Sequence, residues 1–201
     1  RLTLDLDPGA VAKAGDFVAR AFGPDGRFLA VAPFAVGRKA LPVARTAALM
    51  RRLSEAFGLP VAVVGSPVHT DEAKAFAAAL GGSAVSACGL PLAVSSAVLG
   101  RAAAFVGMDS GPAHIASALG TPAAVIFGHP KSGDPGHVGA PERFRPWDDR
   151  SLVLQPATPL PPCESGCEAD EPHCILQLEV DDLLPPIADF IRSLVSVPEQ
   201  V

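Results

Sequence analysis

Tyrosine is absent from these 201 residues, and tryptophan occurs once, at Trp147. The chain therefore has little with which to build an aromatic platform for stacked nucleic-acid bases. Basic residues are also few: 16 Lys and Arg stand against 21 Asp and Glu, a formal net charge of -5. General nucleic-acid binding needs a basic face, and this balance excludes it. Four cysteines in a chain of this length do not make a disulfide scaffold. No uninterrupted apolar run reaches the roughly 20 residues of a membrane-spanning helix. No basic segment leads into the apolar core of a secretory signal. Three short motifs are missing as well: the GxxxxGK(S/T) phosphate loop, the GxGxxG dinucleotide fingerprint and the GxSxG nucleophile elbow. There is no internal repeat. Arg1 stands where an initiator Met would, which points to a processed form or a piece of a longer chain.

What is present is a core-forming composition, with 49% hydrophobic and 18% charged residues. Short apolar runs alternate with helical patterns. Residues 28–32, 61–64, 84–86, 102–106, 123–127 and 152–154 read as strands. Between them, residues 8–22, the stretch entered at Pro42, the stretch entered at Thr70 and residues 92–99 read as helices. Thr70 is the expected cap of its helix. Strand–helix alternation of this kind predicts βαβ units, a parallel sheet and right-handed crossovers. Residues 1–27 are expected to form a linker and N-terminal helix leading into an α/β domain over 28–201. A long loop, 128–150, is rich in Gly, Pro and charge, and loops of that length are usually functional or mobile. A Pro-rich acidic loop with cysteines spans 156–174. Pro185-Pro186 should break a helix interior, so the last helix is expected over about 182–194.

Three places carry chemistry. The run Phe105-Val106-Gly107-Met108-Asp109-Ser110-Gly111-Pro112-Ala113-His114 reads as a strand ended by Gly107, an acidic turn and a helix. Pro112 suits the first helical turn, where no amide donor is needed. Asp109 or Ser110 can cap it, His114 falls in its first turn, and Gly120 and Pro122 close it. A carboxylate, a hydroxyl, a Gly backbone and an imidazole thus meet at a strand end and a helix start. Open α/β sheets bind ligands there, and free helix amides favour phosphate. The second place is the loop Pro33-Phe34-Ala35-Val36-Gly37-Arg38-Lys39, where two cations precede the helix entered at Pro42 and can form an anion site. The third is Cys163, Cys167 and Cys174 with adjacent His173, spaced C-x3-C-x6-C. These can hold zinc, pair as a disulfide, or simply pack as reduced thiols. Against a metal, neighbouring His173 and Cys174 would both have to point at one ion. Cys88 reads as a small core or loop residue.

Taken in order, these segments resemble the C-terminal half of glycosyltransferase family 9, the ADP-heptose:lipopolysaccharide heptosyltransferases. Ala30-Val31-Ala32-Pro33-Phe34-Ala35, with Lys39 and Leu41-Pro42, is similar to that family's PGA…KxWP segment. Val61-Ala62-Val63-Val64-Gly65-Ser66-Pro67 is similar to its second strand and GGP turn. The stretch from Asp109 to Pro122 matches a D(S/T)GxxHxAxALxxP pattern. Phe127-Gly128 followed by the Cys163…Cys167…Cys174 loop is similar to its tail. The chain departs from the family at Leu41, where an aromatic is frequent. It departs also at His69, near where a Glu often serves the nucleoside, and at Gly128-His129-Pro130 in place of GPT.

The resemblance implies a Rossmann-like parallel sheet with helices on both faces, the C-terminal half of a GT-B glycosyltransferase. It implies that Lys39 contacts the diphosphate of a nucleotide-sugar donor, with Ser110 and Gly111 as hydroxyl and amide donors. Asp109 and His114 line the same site, and Arg38, Pro112 and Ser66 complete the donor-binding set. The implied reaction is transfer of a sugar, heptose above all, from ADP-sugar to the lipopolysaccharide inner core. It needs no cofactor and no metal, because Lys39 and helix dipoles neutralise the leaving group. The catalytic base and the lipid A–core acceptor site are expected in an N-terminal domain outside this chain. The corresponding place is the cytoplasm, at the inner face of the inner membrane. A nucleotide-sugar epimerase of similar layout and a non-catalytic nucleotide-sugar-binding module are the alternatives.

Overall fold

The computed structural model describes residues 2–24 and 26–194. Arg1, and residues 195–201 of the expected domain, lie outside the described residues. Six strands form one sheet: β1 Leu29–Ala32, β2 Val61–Val63, β3 Ala84–Ser86, β4 Ala104–Met108, β5 Ala123–Ile126 and β6 Ser151–Leu154. All neighbouring pairs are parallel, in the order β3-β2-β1-β4-β5-β6. The helices are α1 Pro8–Phe22, α2 Val43–Phe57, α3 Thr70–Ala79, α4 Leu92–Leu99, α5 Gly111–Ala118, α6 Pro141–Phe144 and α7 Val180–Leu194. This is the doubly wound Rossmann arrangement, in which successive strands run outward one way from β1 and the other way from β4.

The sequence reaches this fold through alternation on buried strands. Leu29, Val31, Val61, Val63, Val106, Met108 and Ile126 enter the core on the side of α2 and α7. Ala30, Ala32, Ala62, Phe105 and Val125 enter the opposite core, with Ala10, Ala14 and Val18 of α1 and Val94 and Val98 of α4. Side chains of a strand point alternately to its two faces, so one apolar run supplies both layers. Only a sheet covered on both sides tolerates strands this uniformly apolar. The edge strands β3 and β6 are half-buried throughout.

Several expectations need correction, beginning with three in the strands and helices. Gly107 does not end β4, which continues through Met108. A Cβ at Gly107 would lie 2.6 Å from Cζ of Phe105 and 3.3 Å from the Ala32 carbonyl oxygen. The glycine makes room for an aromatic ring and a neighbouring strand and does not break the strand. Thr70 does not cap its helix: it is the first helical residue, and its hydroxyl donates to the Pro67 carbonyl at 2.7 Å. The last helix starts at Val180 and not near residue 182, and it contains Pro185 and Pro186. Both prolines are exposed, whereas Leu183, Ile187, Ala188 and Ile191 are buried against the α2 side of the core. Ion pairs of Arg45 with Glu179 and of Arg52 with Asp181 hold the N-terminal end of α7 to α2. That packing outweighs the poor helix propensity of proline.

Candidate functional site

The order reverses between β1 and β4, so the connections leaving those two strands diverge and open a cleft at their C-terminal ends. Ala32 of β1 is in register with Gly107 of β4. The chain leaves β1 through Pro33 and forms a 3-10 turn, Gly37–Lys39. It leaves β4 through Asp109 and Ser110 into α5. The two turns face each other, and the Lys39 ammonium donates to the Asp109 carboxylate. Asp109 is 7% exposed and Lys39 39%, so the carboxylate is the buried base of the pair and the cation its solvent side. His114 Nε2 stands 4.0 Å from the other carboxylate oxygen.

Neither Asp109 nor Ser110 caps α5. Ser110 occupies the cap position with extended backbone, but its hydroxyl donates back to the Met108 carbonyl at 3.1 Å. Asp109 is engaged by Lys39. The first turn of α5 is thus left without a side-chain cap. Pro112 has no amide and the Ala113 amide donates to the Ser110 carbonyl, so the Gly111 amide and the positive dipole end are what the turn offers to the cleft. Lys39, Arg38, Asp109, Ser110 and Phe34 border a cleft of about 400 Å³. Phe34 and Ser110 also border a larger cleft of about 710 Å³ toward β2 and β3. Its walls are largely apolar, with Val64, Leu90 and Ile115 among them, and Ser66, Ser95 and Ser96 supply hydroxyls. A charged subsite and an apolar subsite therefore adjoin.

The expected site residues divide between these two spaces. Lys39, Arg38, Asp109 and Ser110 line the polar cleft. Ser66, Gly111 and Pro112 line the apolar one, and His114 joins through Asp109. Residues outside the expected donor-binding set complete the apolar cleft. The Phe34 ring stacks on His69 at 4.7 Å between centroids and 23° between planes, and His69 Nδ1 is 3.1 Å from the Ser66 hydroxyl. Gly89, Leu90 and Ser95, around the start of α4, close its far wall. The conversion of an extended stretch to a loop after Ala32 marks Phe34. Nothing local marks the α4 residues, which reach the cleft only because β3 lies beside β2.

Beneath the polar cleft lie two further groups. His129 is 4% exposed and stacks on His137 with centroids 5.0 Å apart. Burial, reinforced by His137, lowers the His129 pKa below its ordinary value, with Glu142 and Asp134 opposing. The Cys163, Cys167 and Cys174 sulfurs and a His173 ring nitrogen all lie within 4.8 Å of one another. All four cysteines are free thiols, so no disulfide links them. Burial, together with its Cys167 and Cys163 neighbours, pushes the Cys174 thiol up to about 12. Burial likewise raises the Cys88 pKa, and the Cys88 thiol lies 3.6 Å from the Val63 carbonyl.

Comparison with known proteins fits this geometry. The structure resembles E. coli ADP-heptose lps heptosyltransferase II with a TM-score of 0.69 and 16% identity, over 95% of this chain and 54% of that one. A glycosyl transferase family 9 protein from Veillonella parvula aligns with a TM-score of 0.73 and 16% identity, over 96% and 54%. E. coli heptosyltransferase WaaC, solved with ADP, aligns with a TM-score of 0.59 and 18% identity, over 84% and 44%. The chain thus spans about half the length of these solved structures. No curated protein matches it by sequence. The sequence profile of glycosyltransferase family 9 (heptosyltransferase), in contrast, matches residues 15–171. Because that match takes in most of the residues, including both turns of the cleft, the chain belongs to glycosyltransferase family 9, the heptosyltransferase family.

Proposed function

We propose that this chain is the donor-binding half of a GT-B heptosyltransferase. The full enzyme moves heptose from ADP-heptose to the inner core of lipopolysaccharide. One observation carries the reading: Lys39 and Ser110, the residue before the uncapped start of α5, border one polar cleft, and it adjoins the apolar cleft that Gly111 lines. A nucleoside diphosphate has that polarity, with an anionic middle and a flat, mostly apolar end. In the apolar cleft the base lies among Val64, Leu90 and Ile115, and the ribose hydroxyls meet Ser66, Ser95 or Ser96. Family membership and the relative solved with ADP support the adenine identity.

The chemistry is direct displacement. An acceptor hydroxyl loses its proton to a base contributed by the other half of the enzyme and attacks the anomeric carbon of the sugar. The new glycosidic bond forms as the bond to the diphosphate oxygen breaks, and that oxygen leaves with the electron pair. Charge then accumulates on the diphosphate. Lys39, Arg38 and the Gly111 amide stabilise it there, aided by the dipole of α5. Asp109 holds the Lys39 ammonium at the edge of the cleft between turnovers. His114 positions the same carboxylate from its far side. No helix among the described residues is long and apolar enough to cross a membrane. The implied place of work on a lipid-linked acceptor is the cytoplasmic face of the inner membrane, through the half that carries the acceptor site, and it rests on family membership.

Calorimetric titration tests this reading. ADP and ADP-heptose should each saturate a single site, with UDP about tenfold weaker because the base pocket is a shaped one. Equal binding of UDP would contradict the base assignment.

A further inference from the structure

The Cys163, Cys167, His173 and Cys174 cluster lies outside the donor cleft, in the loop between β6 and α7. His173 Nδ1 is 3.5 Å from Cys163 Sγ and 3.5 Å from Cys174 Sγ. A tetrahedral zinc ion binds sulfur at about 2.3 Å and imidazole nitrogen at about 2.0–2.1 Å, so its N···S edges are about 3.6 Å and its S···S edges about 3.8 Å. The two observed N···S separations match that edge, and all four ligand atoms lie within 4.8 Å of one another, so a small inward shift of the remaining sulfurs closes the tetrahedron. Adjacent His173 and Cys174 reach one point because His173 bends the chain, with φ -139° and ψ -88°. The objection that neighbours cannot share an ion is removed by that bend.

The surroundings suit a metal as well. Cys167 and Cys174 are buried, and the Leu160 amide donates to Cys174 Sγ at 3.4 Å, the kind of contact that supports a thiolate ligand. Thiols are weak hydrogen-bonding groups and gain little from crowding together. The rest of the loop offers no core of its own: Glu164, Glu168, Asp170 and Glu171 are all exposed. A short polar segment that closes on three thiols and an imidazole is the usual setting of a structural zinc knot.

We propose that Cys163, Cys167, His173 and Cys174 bind one zinc ion in a closed tetrahedral site, and that the closed loop fixes the turn carrying Lys39. Binding displaces the three thiol protons to solvent and leaves neutral His173 donating through Nδ1. The link to the turn is direct. The Asp170 carbonyl oxygen lies 2.7 Å from where a Cβ at Gly37 would be. Cys167 borders a small cavity together with Lys39 and Asp109. The 3-10 turn Cys174–Gln177 packs on the Gly37–Lys39 turn. The zinc site stands on its own geometry, whereas the consequence for ligand binding rests on the donor reading of Lys39.

The test is elemental analysis of the full chain purified from zinc-replete cells without chelator. About one zinc per chain is expected, lost in Cys163→Ser and Cys174→Ser and retained in Cys88→Ser. Cobalt exchange into the unmutated chain covers the case in which those variants misfold. It should give thiolate-to-cobalt charge transfer and the strong visible bands of a tetrahedral ion. A chain without stoichiometric metal, or weak octahedral cobalt bands, overturns the site, and iron in place of zinc overturns the ion. Hydrogen exchange after chelation should rise in segment 160–178 and also in 36–40, and a rise confined to 160–178 overturns the coupling. ADP that fails to bind the zinc-loaded chain instead overturns the donor reading and leaves the zinc site standing.

Discussion

Lys39, in the turn after β1, donates to Asp109, the first residue after β4, across the line where strand order reverses. The pair joins the two turns of the cleft and puts a positive group at its solvent edge over a buried carboxylate. On the proposed donor reading, an incoming diphosphate competes with Asp109 for the same ammonium. Replacement of Asp109 by Asn removes the competitor and keeps a hydrogen-bond acceptor for Lys39. ADP affinity in Asp109→Asn is expected to stay within a few-fold of the unmutated chain or rise. A loss of tenfold or more, measured calorimetrically, would instead make the carboxylate a direct ligand contact.

Gly37 is held at φ 57° with the Asp170 carbonyl against it. Alanine there meets both a left-handed backbone and a close contact, a penalty of about 1–3 kcal/mol. At this chain length the melting temperature should fall by roughly 2–4 °C per kcal/mol. Gly15, which has nothing within 4 Å of its added Cβ and lies inside α1, is the control. Gly15→Ala is expected to leave the melting temperature unchanged or raise it.

The buried His129 sets a pH dependence. Its pKa is lowered in the fold by burial and by His137, so the folded chain resists protonation that the unfolded chain accepts. Stability from this group is full above the unfolded value of about 6.5 and is lost as pH falls from there toward the lowered folded value. Thermal melts from pH 8 down to about pH 5 should show a falling midpoint that is shallower in His129→Gln. Parallel slopes for the two chains would remove His129 from the account.

Pro185 and Pro186 are exposed inside α7, where each removes a helical amide donor. Pro186→Ala restores one such bond without touching the buried Leu183–Ile191 face. Its melting temperature should rise by a few degrees. A decrease, read by circular dichroism, would show that the prolines hold α7 in a curvature that the α2 contact requires.

Much of this protein is legible in its sequence where a residue's role is local. The helix over Pro8–Phe22 and the strand at Ala84–Ser86 follow from apolar spacing and flanking turn residues. Lys39 and the Asp109-to-His114 run stand out because strand ends and helix starts are written in short range. Gly107 was misleading because glycine inside a strand looks like an ending until the Phe105 ring that needs the space is seen. The start of α7 was misleading for a related reason, since proline propensity is local and the α2 contact is not. The apolar cleft was hidden because Phe34, Ser66 and the pair Leu90 and Ser95 come from three separate crossovers that only the sheet order brings together. The cysteine spacing was visible, but the bend at His173 that aligns it was not.

The central claim is that the cleft between Lys39 and α5 binds the diphosphate of a nucleotide. Titration of the full chain with ADP, beside the Lys39→Ala variant, tests it most directly. One saturable site is predicted for the unmutated chain, weakened about tenfold to a hundredfold in the variant, as loss of a charged hydrogen bond requires. No heat of binding, or equal affinity in a Lys39→Ala chain that remains folded, would contradict the account.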